Sequence, residues 1–278
     1  MKKLQFGMPT LIENHSLEEN IALCKRLDLN FIELNMNFPE YQLDKLEEVD
    51  CSKFVESAEQ AGIYYTIHLD ENLNIADFNS LVTGAYLETV CRTIEVAKKM
   101  LPLRDRFGDV SQPLTLNMHM NHGIFITLPD RKFQMYERDF DTYIKSFSDF
   151  KTLCEKWIGK SDIKIVVENT DGFRDYEKRA IELLLQSPVF ALTWDIGHSK
   201  ATGEKDVPFI LEHQNHLIHF HIHDGTEQPQ KNHLALGDGE IDLHERLQLA
   251  KTRNARCVLE TKTIATLEKS VKKLPDFL

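Results

Sequence analysis

Metal-ligand side chains end six short apolar runs in this sequence. They close the third to the eighth of eight such runs, at His68, His119, Glu168, Asp195 with His198, His221 with His223 and Asp224, and Glu260. A mixed set of imidazole and carboxylate groups suits Mn, Zn, Co or Fe better than Ca. One such residue at a strand end is usually only solvated. Six in consecutive runs predict a divalent-metal site.

Three of these carboxylates, Glu168, Asp195 and Glu260, follow apolar residues directly. A carboxylate at the end of a buried strand is costly unless it is paired, protonated or bound to a metal. Few basic residues flank the three, and only Lys262 is near Glu260. We therefore predict that the three carboxylates and His221 hold one divalent metal (Mn, Zn or Co), in preference to three separate salt bridges.

The apolar runs predict eight buried strands. These are Leu4–Thr10, Phe31–Asn35, Tyr64–His68, Leu114–His119, Ile163–Glu168, Ala191–Asp195, Ile218–His223 and Cys257–Glu260. Helical patterns separate them, except that residues 101–113 read as a polar loop before the fourth strand. Strands alternating with helices predict an α/β fold, a (β/α)8 TIM barrel that forms a single domain over residues 1–278. The carboxyl ends of barrel strands meet at one face, so this fold would bring the ligands together.

Composition excludes several classes of protein. The chain has 278 residues, with 33 basic against 44 acidic residues and a net charge of -11, which opposes binding to nucleic acid or anionic membranes. No run approaches the roughly 18 apolar residues of a membrane span, and the first residues lack the apolar stretch of a signal peptide. Five scattered cysteines without a CxxC pair indicate reduced thiols. We expect a cytoplasmic protein.

Five short motifs carry a resemblance to a known family. They are Val167-Glu168-Asn169-Thr170, Asp195-Ile196-Gly197-His198, His221-Ile222-His223-Asp224, His233 to Gly239 (HLALGDG) and Leu259-Glu260-Thr261. In this order they resemble the xylose-isomerase-like TIM barrel superfamily, which includes sugar isomerases, ketose 3-epimerases, inosose dehydratases and endonuclease IV. The resemblance covers essentially the whole chain. It implies that Glu168, Asp195, His221 and Glu260 hold the metal that the superfamily shares.

The resemblance to the epimerases implies a reaction. The metal would chelate a carbonyl and its neighbouring hydroxyl on a sugar, sugar phosphate or cyclitol, and stabilise an enediolate. Glu168 and Glu260 would be both ligands and proton carriers, while His68, His198 and His233 would bind substrate hydroxyls. Lys231 is interpreted as a contact to a phosphate or carboxylate. Family members are often dimers or tetramers, so a homo-oligomer is possible here.

Two alternatives use the same scaffold. The first is an endonuclease IV-like zinc phosphodiesterase, in which His68 and His119 would match ligands of a second metal. Against it, Lys231 stands where the nuclease has an aspartate ligand, and the loop 35–39 lacks the arginine that the nuclease inserts into DNA. The second alternative is a metal-dependent dehydratase, which the sequence leaves open. The expected partner is a small sugar-like molecule.

Overall fold

The computed structural model describes residues 4–48, 52–228 and 230–278. The strands in these residues are β1 (Phe6–Pro9), β2 (Phe31–Asn35), β3 (Tyr64–His68), β4 (Leu114–His119), β5 (Phe125–Thr127), β6 (Lys132–Gln134), β7 (Ile163–Glu168), β8 (Phe190–Asp195), β9 (Leu217–Ile222) and β10 (Arg256–Leu259). Eight of them form a closed parallel barrel in the order β1-β10-β9-β8-β7-β4-β3-β2. This confirms the TIM barrel. The last two barrel strands end one residue earlier than predicted, so His223 and Glu260 follow their strands.

Helices connect the strands. They are α1 (Leu17–Arg26), α2 (Leu43–Glu48), α3 (Ser52–Ala61), α4 (Ser80–Phe107), α5 (Met135–Arg138), α6 (Phe140–Ile158), α7 (Asp175–Leu185), α8 (Ile196–Ala201), α9 (Val207–Glu212), α10 (Leu243–Thr252) and α11 (Ile264–Lys273). No helix of the described residues is long and apolar enough to cross a membrane.

The prediction of a loop from residue 101 was wrong, because α4 continues to Phe107 despite Pro102. The last turns of this helix are held by tertiary contacts. Leu103 and Arg104 are almost completely buried, and the Arg104 guanidinium lies 2.7 Å from the Asp162 carboxylate. Burial of these turns outweighs the local preference against proline inside a helix.

The two faces of the barrel strands differ in polarity. Successive side chains of a strand alternate between its two faces. On the outer face, apolar side chains belong to the buried hydrophobic core, among them Ile67 of β3, Met118 of β4 and Val167 of β7. The register pairs Glu33 with Thr66, His68 with Asn117 and His119 with Glu168, and all six side chains lie on the inner face. The barrel interior is therefore polar at the level where the strands end, which is unusual for a packed barrel core.

One irregularity in the sheet aligns the predicted ligands of β8 and β9. Leu192 pairs with Leu217, but Thr193 pairs with His219, so β9 contains one extra residue at this point. Beyond the shift, Asp195 pairs with His221. Paired residues of adjacent strands point to the same side of a sheet, so this bulge places the two predicted ligands side by side.

An antiparallel hairpin, β5–β6, follows β4 at the carboxyl-end face. Gln134, at its end, donates to the backbone carbonyl of His122 and to the Tyr176 hydroxyl at 3.0 Å. Phe125 and Ile126 are each 44% exposed on the hairpin. The hairpin is therefore anchored at its base and presents apolar side chains to solvent.

Candidate metal centre and active site

The four predicted ligands of the first metal lie together; we call Glu168, Asp195, His221 and Glu260 the central cluster. Each contributes one ligand atom, and these atoms lie within 4.8 Å of one another. His221 Nδ1 is 3.2 Å from Glu168 Oε1, 3.0 Å from Glu260 Oε2 and 4.0 Å from Asp195 Oδ2. All four residues are buried. Strands far apart in sequence thus converge as the barrel topology predicts.

A second group of side chains contacts the other carboxylate oxygen of Glu168. Glu168 Oε2 lies 3.4 Å from His68 Nε2 and 3.2 Å from His119 Nε2. The Asn117 amide also donates to this oxygen. The Nδ1 of His68 is 2.8 Å from the Leu69 carbonyl, so Nε2 is the nitrogen that faces Glu168. Burial would lower the pKa of His68, but the hydrogen bond and charge of Glu168 raise it above its usual value. Glu168 can therefore contact a cation through either oxygen.

A buried carboxylate that the sequence analysis missed lies behind His221. Glu33 Oε1 is 2.8 Å from His221 Nε2, and Glu33 Oε2 lies 3.0 Å from His219 Nε2 and accepts from the Thr66 hydroxyl at 2.9 Å. Contact of Nε2 with a carboxylate turns Nδ1 of His221 toward the central cluster. The signal was present in the sequence, because Glu33 interrupts the apolar β2 run as Glu168 ends β7.

The remaining predicted site residues divide into two sets. His198 Nδ1 is 3.6 Å from Asp195 Oδ2 and 3.7 Å from Glu168 Oε1, and His233 Nδ1 is 3.0 Å from the Glu260 carbonyl. Both imidazoles therefore border the central cluster. The Lys231 side chain, by contrast, is exposed and is not among the residues that line the cavity above the cluster.

The arrangement fits a divalent cation. His119 Nε2 and Glu260 Oε2 are buried and have no hydrogen-bond partner, although both face other ligand atoms. Such atoms carry a large cost unless a cation or water satisfies them. Imidazole nitrogen and carboxylate oxygen together are typical ligands of Zn, Mn and Co. The residues present would thus accept the group that the family motifs imply.

The electrostatics of the central cluster show a demand for positive charge. Burial alone would lower the pKa of His221, but Glu168, Glu260 and Glu33 hold it well above its usual value. Burial would raise the pKa of Glu168, and His221 and His119 instead hold it well below its usual range. Imidazole protons thus compensate the carboxylates, with Lys262 Nζ 2.7 Å from Glu260 Oε1. A divalent cation could take their place.

A cavity of about 750 Å³ opens above the cluster; we call it the mouth cavity. It is lined mainly by polar side chains and by Phe125 of the hairpin, and the lining includes His119 and His198, which border the central cluster. None of the described residues that line it is Lys or Arg. An apolar groove of about 530 Å³ at the amino-terminal end of the barrel has no ligand-type cluster and does not adjoin the site.

A second set of charged residues lies at the edge of the mouth cavity. This rim cluster comprises His122, Asp171, Arg174 and Glu177. His122 contacts Asp171 through Nε2 and Glu177 through Nδ1 at 2.5 Å, while Arg174 pairs with Asp171 at 2.8 Å. Burial would lower the pKa of His122, but the two carboxylates raise it to about 9. The sequence analysis did not identify this cluster.

Comparison with known proteins identifies the family. The model of the xylose isomerase-like TIM barrel family matches residues 21–278. This chain therefore belongs to that family, and the resemblance found in the sequence motifs is confirmed. No match was found among curated protein sequences.

Solved structures show the same fold over the whole chain. A D-tagatose 3-epimerase-like protein superposes with a TM-score of 0.75 and 21% identity, covering 99% of this chain and 97% of that one. A 3-keto-D-glucoside 4-epimerase from E. coli gives 0.72 and 16%, covering 99% of each chain. The IolI protein, whose structure contains a zinc atom, gives 0.67 and 14%, covering 99% and 98%. At these identities the likeness establishes the fold alone.

Proposed function

We propose that this member of the xylose isomerase-like TIM barrel family is a divalent-metal-dependent isomerase or epimerase of a sugar-like substrate, acting in the cytoplasm. The observation that carries the proposal is the central cluster, in which three buried carboxylates and His221 Nδ1 converge. Glu168 and Glu260 come from β7 and from the end of β10, and the two strands between them carry Asp195 and His221. Two carboxylates on either side of a cation site suit proton transfer at carbon.

The chemistry divides between the metal and the protein. A bound divalent ion, held by the central cluster, would act as a Lewis acid on a substrate carbonyl and so acidify the neighbouring C–H. Glu168 or Glu260 would remove that proton from one side, and the other carboxylate would return a proton from the opposite side, which inverts the carbon. General acid–base catalysis of this kind contributes roughly 10²- to 10⁴-fold. His198 and His233, at the border of the cluster, would orient substrate hydroxyls, as would His68.

The substrate that this site favours is uncharged. A phosphate or carboxylate group is normally bound by Arg or Lys, and the described lining of the mouth cavity has neither. The two cations nearest the site are already paired: His122 lies between two carboxylates, and Lys262 contacts Glu260 at 2.7 Å. Lys231 is exposed outside the cavity, so the phosphate contact interpreted from the sequence has no support. We propose a free sugar or cyclitol over a sugar phosphate.

Metal content and proton exchange test this function together. The purified protein and its Glu168→Gln and His119→Ala variants would be analysed for metal per chain by plasma mass spectrometry. Each would then be incubated with free ketoses and cyclitols in D2O and followed by NMR. We expect about one metal, lost in Glu168→Gln and kept in His119→Ala, with deuterium entering beside the carbonyl. Failure of the wild-type protein to bind any divalent metal would reject the proposal, and loss of water from the substrate would identify a dehydratase instead.

The contacts of His68 and His119 with Glu168 favour a second candidate, a two-metal phosphodiesterase. Carboxylates that bridge two metals are typical of enzymes that hydrolyse phosphate esters. This reading predicts at least two metals per chain, one of which is lost in His119→Ala. It also predicts nicking of abasic DNA, which the net charge of -11 disfavours.

A further inference from the structure

His223 is completely buried beside the metal centre, but it is not one of the four ligands of the central cluster. Its Nε2 is 3.0 Å from Asp195 Oδ1 and 3.1 Å from Asp195 Oδ2. Its Nδ1 lies 3.1 Å from the backbone nitrogen of His233. The ring therefore joins a ligand of the metal to a histidine that borders the substrate site.

The hydrogen bonds fix the tautomer of His223. The His233 backbone N–H can only donate, so Nδ1 of His223 must present its lone pair and the proton lies on Nε2. Nε2–H then donates to the Asp195 carboxylate. The Asp195 carboxylate can only accept, which also places the proton on Nε2. The carbonyl of Asp224, 3.2 Å from Nδ1, accepts from the Leu234 N–H at 2.9 Å. The contact with Asp195 is thus a directed hydrogen bond.

Two backbone features are adapted to this ring. A Cβ atom on Gly197 would lie 1.8 Å from His223 Cε1, so only glycine at this position allows the ring to occupy its place. His233 has a φ of 52°, in the left-handed region that non-glycine residues seldom adopt. Its N–H is held by His223 and by the Asn232 side chain, each at 3.1 Å.

Another reading would make His223 a ligand of a further metal. One nitrogen from each of His198, His223 and His233 lies within 4.8 Å of the others. Both nitrogens of His223 are already engaged, however, and His233 Nδ1 is 3.0 Å from the Glu260 carbonyl. A cation at this place would have to break the hydrogen bond to Asp195 or the one from His233.

We propose that His223 is a positioning residue, whose Nε2–H orients Asp195 and whose Nδ1 holds the backbone of His233. The proposal rests on the proposed function, in which Asp195 is a metal ligand. One buried ring would then couple the geometry of the metal centre to the loop that carries His233. It also explains why the Asp195-Ile196-Gly197-His198 motif contains a glycine.

Two substitutions separate the two bonds. Gln at position 223 places its amide near the position of Nε2, so His223→Gln keeps a donor for Asp195 and loses the acceptor for the His233 N–H. Asn is shorter and places its amide oxygen near Nδ1, so His223→Asn keeps the second contact and loses the first. We therefore expect each substitution to change one of two readouts and to leave the other near its wild-type value.

The first readout is metal affinity, measured by Co²⁺ titration followed in the visible spectrum. We expect His223→Asn to weaken binding about 10- to 100-fold, as losses of hydrogen bonds to metal ligands do, and His223→Gln to stay within about threefold of wild type. The second readout is hydrogen exchange at the His233 amide. It should quicken roughly three- to tenfold in His223→Gln, the value of one hydrogen bond, and remain near wild type in His223→Asn.

Gly197→Ala provides a variant in which none of the named side chains is substituted. The added methyl must displace the His223 ring, so both readouts should worsen together. Gly84→Ala in α4 is the matched control, because a Cβ there meets no atom within 4 Å. Circular dichroism and melting temperature identify any variant that fails to fold.

Three results would overturn the proposal. Equal metal affinity of the wild-type and both position-223 variants would show that His223 does not orient Asp195. Loss of one metal ion per chain in both variants, with the others retained, would identify a three-histidine metal site. Unchanged exchange of the His233 amide in His223→Gln would remove the second role. A wild-type protein that binds no metal would instead reject the proposed function, and the role at Asp195 with it.

Discussion

The central cluster and the rim cluster are built from the same residue types, yet their charges are balanced differently. In the rim cluster, Asp171 and Glu177 face the cations His122 and Arg174. The number of opposite charges is equal, and the cluster ties the loop after β4 to the start of α7. Its backbone contact, from the Arg174 N–H to Glu177 at 2.7 Å, is that of a helix N-terminus.

In the central cluster, three carboxylates face His221, and Lys262 reaches only Glu260. Glu168 also contacts His68 and His119, which lie beside the cluster. Glu260 Oε2 in the cluster and His119 Nε2 beside it are buried without a hydrogen bond. Residue type therefore does not distinguish an ion-pair network from a candidate metal centre. The convergence of four ligand atoms within 4.8 Å and the buried atoms without a hydrogen bond do.

The largest effect is expected from Glu168→Gln. If the central cluster needs a cation, this change should remove the metal and lower turnover by at least about 10³-fold, because a ligand and a proton carrier are lost together. Steady-state kinetics with the substrate identified by the NMR screen measure it. In the metal-free state, Glu168→Gln should be less stable than the wild type, because His221 and His119 hold the pKa of the buried Glu168 well below its usual range and the ionised carboxylate therefore stabilises the fold. Retention of the metal by Glu168→Gln would place the cation outside the central cluster.

Removal of the metal should destabilise the wild-type protein. A ligand bound at about 100 times its dissociation constant contributes about 2.7 kcal/mol to the free energy of unfolding. Chelation with EDTA should therefore lower the melting temperature by several degrees in differential scanning calorimetry, and added Zn²⁺ or Mn²⁺ should restore it. Glu168→Gln should show no such dependence. An equal response of the variant would place the stabilising metal outside the central cluster.

A smaller effect is expected from Glu33→Gln. Glu33 contacts Nε2 of His221 at 2.8 Å, so loss of its charge should weaken metal binding about 10- to 100-fold without removing a ligand. A chelator competition assay measures the dissociation constant. Thr66→Val is the matched control, because Thr66 donates to the other oxygen of Glu33 and does not contact His221. If Glu33→Gln binds metal as tightly as Thr66→Val and the wild type do, Glu33 has only a packing role.

The smallest effect is the pH dependence that the rim cluster contributes. The pKa of His122 is raised from 6.5 to about 9 in the folded protein. A raised pKa means that the folded state binds the His122 proton more tightly than the unfolded state does. The stabilisation that these ion pairs contribute is therefore fully present below pH 6.5 and is lost as the pH rises through 9. We expect a loss of roughly 1–2 kcal/mol, because solvent screens the exposed Asp171. Urea denaturation from pH 6 to 9.5 would detect it as a difference between wild type and His122→Gln. Identical pH profiles of the two proteins would contradict the ion-pair reading.

Much of the fold could be predicted from the sequence because strands and helices alternate with distinct hydrophobic periods. The bounds of β2, β3, β4 and β7 agree with the structure residue for residue. The end of α4 could not be predicted, since Arg104 is held by Asp162, which lies 58 residues away. Short-range patterns contain no information about such a contact.

Similar reasoning applies to the site. Ligand types at consecutive strand ends were enough to predict that Glu168, Asp195, His221 and Glu260 converge, because any parallel barrel brings its strand ends to one face. Glu33 interrupts an apolar strand, which indicates a special role, but its position inside the strand does not indicate that His221 and His219 are its partners. His223 was visible at a strand end, but its role depends on which nitrogen faces Asp195.

The sequence by itself determined the barrel and the residues available to bind a cation, since both follow from local periodicity and residue type. Only the tertiary structure decided how these residues are used. The register shift between β8 and β9 sets Asp195 beside His221, and Glu33 approaches His221 across a separation of 188 residues in the chain. Hydrogen bonds and charge balance depend on distances of a few ångströms, and packing of the whole barrel sets those distances.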